Sequence, residues 1–103
     1  MSVNTKTQNV KRKRWSPKQA VLEMITEDIN YALQHISDDI LKAKLREAYQ
    51  EILKGSKIHD VRRRRKHLWH AVSLIDEVAN KISNESVKVR LWSASSDVVN
   101  VLI

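Results

Sequence analysis

The chain holds one glycine and one proline in 103 residues. This scarcity constrains the fold more than any other feature. Sheets of short strands need frequent turn residues, and loops that cradle phosphates need several glycines. Most all-β folds, a dinucleotide-binding glycine loop and a P-loop are therefore excluded. The two residues also stand where helices use them. Ser16-Pro17-Lys18-Gln19 places serine at the cap, proline in the first helical position and glutamine two residues on, a capping-box pattern. Trp15 precedes the cap, where it can staple onto Ala20 or Val21. Gly55 after Lys54 reads as the stop of a later helix.

Between and beyond these marks the apolar residues keep a 3–4 spacing, the signature of one helical face. Val21, Met24, Ile25, Ile29, Ala32, Leu33 and Ile36 predict a first helix over roughly 17–36. Ser37 before Asp38 and Asp39 predicts a second start, with acids at the positive end of the helix dipole. Leu41, Leu45, Ala48 and Ile52, flanked by Ile40, Tyr49 and Leu53, carry that helix over about 38–54. Ile58, Val61, Leu68, Val72, Ile75, Ala79 and Ile82 predict a third helix over about 57–82, opened by Ser56 or Lys57. Ser83-Asn84-Glu85-Ser86 is a break.

Residues 87–103 fit two readings. Val87, Val89 and Leu91 alternate with polar or aromatic neighbours, and Val98–Ile103 could pair with them as a hairpin. Val87, Leu91, Ala94, Val98 and Leu102 also form a helical stripe. The helix is preferred, because a lone hairpin is marginal and a fourth helix closes a bundle. Trp92 is expected in the core. The expected fold is all-α: a small bundle of three long helices plus a C-terminal element. Residues 16–103 would form the single domain, behind a flexible basic arm over residues 1–15.

Nineteen Lys and Arg against twelve Asp and Glu leave a net +7. This charge is segregated: residues 1–19 carry +6, 20–53 carry −4, 54–70 carry +6 and 71–103 carry −1. Two runs dominate, Lys11-Arg12-Lys13-Arg14 and Arg62-Arg63-Arg64-Arg65-Lys66. Clustered cations are the electrostatic footprint of a polyanion, because each neutralised phosphate releases condensed counterions. At 100° per residue from Ile58, the apolar residues of the third helix lie between about 240° and 320°. Arg62, Lys66, His70 and Arg63 fall at about 40°, 80°, 120° and 140°, opposite them. Trp69, at about 20°, borders that face and could stack on a base. Arg64 points toward the core side and Arg65 lies at its edge, so both must snorkel or meet Glu47 or Glu51. The second helix, Gly55 and a basic third helix mimic a helix-turn-helix, but the helices are longer than that motif uses.

The expected function is an accessory or regulatory nucleic-acid-binding protein, DNA or RNA. The contacts would come from Lys11, Arg12, Lys13, Arg14, Arg62, Arg63, Lys66, Trp69 and His70. The alternative is an inhibitor or adaptor docking on an acidic protein surface. No cofactor or enzyme activity is expected. Cysteine is absent. His67 and His70 are three apart, but they lack a zinc-helix motif, and flanking arginines repel a cation. Arg65-x4-His70, Arg64-x5-His70 and Arg63-x6-His70 each resemble the Arg/His motif of HEPN ribonucleases. That resemblance implies a dimeric helical RNase with His70 in acid–base work and Arg63 on the phosphorane. Only the Arg63 pair shares a helix face.

No run of about 18 apolar residues is present, and the polar opening MSVNTKTQNV lacks the apolar core of a secretory signal. A cytoplasmic protein, nucleoid-associated or nuclear, is expected. The apolar end Val98–Ile103 is a candidate homodimer seam unless it docks into the bundle.

Overall fold

A computed structural model describes residues 16–103. Their fold is all-α. Four α-helices follow one another: α1 (Pro17–His35), α2 (Asp39–Ser56), α3 (Val61–Lys81) and α4 (Glu85–Asp97), ending in a π-helical turn at Val98–Leu102. The C-terminal segment is therefore helix, not hairpin. In the closing turn Ile103 N donates to Val98 O at 3.0 Å, the i→i+5 bond of a widened turn. The arm expected over residues 1–15 and the Trp15 staple lie outside the described residues.

Each helix starts on a side-chain cap. Ser16 Oγ accepts from Gln19 N at 3.1 Å, as the sequence predicts. The other starts shift slightly. Asp38 rather than Ser37 caps α2, accepting from Ile40 N at 2.8 Å and Leu41 N at 3.2 Å. Asp60 rather than Ser56 or Lys57 caps α3, accepting from Arg62 N at 3.0 Å. Asn84 caps α4, accepting from Ser86 N and Val87 N. An aspartate or asparagine satisfies two orphan amides as well as a serine does, so neighbouring candidates compete and geometry decides.

Gly55 does not stop α2 through a left-handed turn. No glycine has a positive φ, and Gly55 is a buried helical residue. Its use is close approach. A Cβ there would meet Leu68 Cγ and Cδ2 at 2.9 Å, so the missing side chain lets α3 lie against α2.

The core gathers one stripe from every helix. Ile25, Ile29 and Ala32 of α1, Leu45, Ala48 and Ile52 of α2, Leu68, Ile75 and Val78 of α3, and Val87, Leu91, Ala94 and Val98 of the C-terminal segment are all buried. Leu102 is buried too, so much of the apolar C-terminal end docks into the bundle. α3 packs most extensively on α2, and α1 on α4. α4 also packs on α3, joining the two pairs. Three expected core residues are outside: Ile40, Met24 and Val61 are 69%, 53% and 51% exposed. Trp92 is also outside, half exposed with the Lys88 ammonium 6.0 Å from its ring centre. On the narrow α4, Val87, Leu91 and Ala94 already fill the inward stripe, and Trp92 falls on the opposite side.

The bundle is elongated, 55 × 31 × 19 Å. No side chain from Val61 to His67 is fully buried; the first buried residue of α3 is Leu68. The opening two turns of α3 are therefore not needed for the core, and they are the turns that carry the arginines.

Candidate nucleic-acid interface

The basic run occupies the N-terminal half of α3. Arg62, Arg63, Arg65 and Lys66 are exposed, whereas Arg64 is half-buried. Arg64 leaves the face as the helical wheel predicts, but it does not reach Glu47 or Glu51. Its Nη1 turns back along its own helix start to the Ile58 and His59 carbonyls, each at 3.5 Å.

The two acids are instead taken by histidines. His67 Nδ1 lies 2.8 Å from Glu51 Oε1, and His70 Nε2 lies 3.0 Å from Glu47 Oε2. Glu51 also has Lys54 Nζ at 3.8 Å. Sequence reasoning put His70 on the phosphate face and left His67 aside. The structure places both on the border where α3 meets α2. The signal was available: at 100° per residue His67 falls at about 180° and His70 at about 120°, the side nearest the acidic helix. A groove of about 460 Å³ runs along this border, lined by Glu51, Arg63, Lys66, His67 and His70. Arg63 and His70 therefore share one groove, while the Arg64 guanidinium turns away from it.

Arg62, Arg63, Arg65 and Lys66 form no ion pair among the described residues, where six carboxylate contacts to Lys, Arg or His occur. They also crowd the positive end of the α3 dipole, whose first turn holds no acid. Cations there are disfavoured by a few tenths of a kcal/mol each, and they repel one another at i, i+3 and i+4. Only the Asp60 cap opposes this. An anion bound on the face would relieve both terms.

Trp69 continues the same side of α3, 48% exposed. Lys66, Arg65 and Arg62 lie three, four and seven residues before it, on one face one and two turns away. Lys11, Arg12, Lys13 and Arg14 lie outside the described residues.

Elsewhere the charges tie helices together. Glu77 on α3 meets Lys44 of α2 at 3.0 Å and Lys81 at 3.2 Å. Hydrogen bonds from Lys44, then Lys81, hold its carboxyl below the usual glutamate range. Asp28 on α1 is buried and meets Arg90 of α4 at 3.2 Å, with the guanidinium 4.4 Å from the Tyr31 ring centre. Burial raises the Asp28 carboxyl above its ordinary value despite Arg90.

Among the described residues no group of three or more His, Cys, Asp or Glu is placed to hold a metal ion, and no helix is long and apolar enough to cross a membrane. No family model matches the chain, and neither a curated protein nor a solved structure does.

Proposed function

We propose that this protein binds nucleic acid through the N-terminal half of α3, as an accessory or regulatory protein. One observation carries the reading. Four exposed cations sit on two helical turns that the core does not use, at the unfavourable end of the helix dipole, and they form no ion pair among the described residues. Two carboxylates on the neighbouring helix are bonded to histidines instead. Such an arrangement costs the folded chain a little stability and is relieved by phosphates. Lys11–Arg14 add a second cationic segment to the same reading.

The test is a salt titration of binding to DNA and RNA of mixed sequence. Replacing Arg62, Arg63 and Lys66 together with Ala should weaken binding across sequences. It should also reduce the slope of log K against log salt by roughly 0.7–0.9 per lost contact. A wild-type protein with no salt-dependent binding to either polymer overturns the reading. Affinity for one acidic protein that survives nuclease treatment would favour the adaptor alternative.

A further inference from the structure

The part of the α3 cationic face that carries Trp69 is narrow. Arg62, Arg65, Lys66 and Trp69 lie within about 100° of helix surface, the width of one apolar or polar stripe. On the side toward α2, Arg63 carries the charge into the groove it shares with Glu51, and there His67 and His70 are bonded to Glu51 and Glu47. A helix entering the groove of a duplex has a phosphate backbone on both flanks. Here the flank toward α2 sets Glu47 and Glu51 beside Arg63. The face therefore meets a backbone lying along Arg62, Arg65 and Lys66 better than one lying on the α2 side.

Trp69 points to the same conclusion by a different route. Its indole is half exposed on the cationic strip, and no aromatic stack or cation–π contact within the described residues occupies it. Indole has a single donor and no acceptor, so it reads base edges poorly, but its flat face stacks well. In a duplex the base faces are already stacked on one another. An indole beside phosphate-binding side chains gains most from a base that is unpaired.

We infer that the strip takes a single strand of nucleic acid, with one unpaired base stacked on Trp69 and the backbone phosphates on Arg62, Arg65 and Lys66. This rests on the nucleic-acid reading above and adds the strand state of the ligand. DNA and RNA share the chemistry invoked, an open base face next to phosphates, so both belong in the test.

The experiment is fluorescence anisotropy with labelled single strands of about 12 nucleotides, as DNA and as RNA, beside duplexes of the same sequence. Wild-type protein should bind a single strand of at least one type about tenfold more tightly than its duplex. Trp69→Ala should weaken single-strand binding about tenfold, the usual scale for loss of one stacked base, and weaken duplex binding far less. Trp69→Phe should recover most of the loss. In a Trp15→Phe/Trp92→Phe background Trp69 is the remaining tryptophan, and its emission should be quenched by the single strand only. Because Trp69 is half exposed, these variants should keep the helical circular dichroism of the parent. Equal affinity for both strand states, with Trp69→Ala indifferent, overturns this inference and leaves the binding reading standing. Failure to bind any oligonucleotide overturns both.

Discussion

Gly55 illustrates how one residue can be read correctly as special and wrongly as to why. Next to Lys54, glycine signals a helix end, and α2 does end at Ser56, one residue beyond it. Yet its backbone is ordinary helix, and what matters is the 2.9 Å that a Cβ would leave to Leu68 Cγ and Cδ2, with His67 Cβ at 3.3 Å. Two effects oppose each other in Gly55→Ala. Alanine gains about 1 kcal/mol of intrinsic helix propensity. Overpacking against a fully buried leucine costs about 1–3 kcal/mol. Leu68 cannot swing aside, because its branch point as well as its tip is in the way and it has no exposed surface. The clash should win, with Gly55→Ala lowering Tm by several degrees in a thermal melt followed by circular dichroism. A raised Tm would mean that α2 and α3 separate freely. Because the displaced helix carries His67 and the arginines, the same variant should also perturb binding at the α3 face.

Element by element, periodicity was a good guide to where helices lie and a poor one to how wide their buried arcs are. The 3–4 spacing located the first three helices to within a few residues, since core burial imposes that spacing on any amphipathic helix. Over residues 87–103 it competed with a strand-like alternation, and bundle closure favoured the helix that is found. It overcounted the core at Met24, Ile40 and Val61, which lie at element ends or where no partner covers the stripe. At the candidate site, the wheel showed that Arg62, Arg63 and Lys66 face outward. The wheel also sets His67 and His70 to one side of that face, but their pairing with Glu51 and Glu47 was not legible, because it depends on how α2 and α3 dock. The same holds for the Asp28–Arg90 contact, which joins residues 62 apart in sequence. That contact makes a prediction at the level of the α1/α4 pair. Burial, the largest influence, with Asp97 and Glu27 adding, raises the Asp28 carboxyl, and the hydrogen bond and charge of Arg90 only partly offset this. A carboxyl whose folded pKa lies above its unfolded value favours the fold most at acid pH, and that contribution is lost as pH rises through the folded value. Asp28→Asn keeps an acceptor for Arg90 and removes the charge. Its Tm relative to wild type should therefore be higher at pH 7 than at pH 4, with neutral-pH stability equal to wild type or up to about 1 kcal/mol greater. A variant clearly less stable at pH 7 would show that the ion pair outweighs desolvation. Glu77 has the opposite sign. Lowered chiefly by the hydrogen bond from Lys44, it supports the fold above the unfolded glutamate pKa and loses that support as pH falls through its folded value.

On the scale of the whole molecule, the excess charge and the described core lie in different parts of the chain. Among the described residues, the buried core lies between Ile25 and Leu102. Residues 16–103 hold fourteen Lys and Arg against twelve Asp and Glu, so +5 of the net +7 belongs to residues 1–15. Within the bundle most acids lie on the α1/α2 side or in interhelical pairs, and the unpaired cations concentrate at the start of α3. A chain built this way should fold without its first fifteen residues and bind less well without them. Deleting residues 1–15 should leave Tm within about 1 °C of the parent if the core described over Ile25–Leu102 carries the stability, since 1 kcal/mol corresponds to several degrees in a domain this small. Nucleic-acid affinity should fall at low salt. The slope of log K against log salt on a single strand should lose about 0.7 for each phosphate contact that Lys11–Arg14 made. Combined with Arg62→Ala, Arg63→Ala and Lys66→Ala, the deletion should lower the slope by the sum of the two separate losses if both cationic blocks contact one strand. A truncated chain with an unchanged slope would confine the interface to α3. One with a Tm several degrees lower would mean that the segment contributes to the fold, and charge and stability would then not be separate.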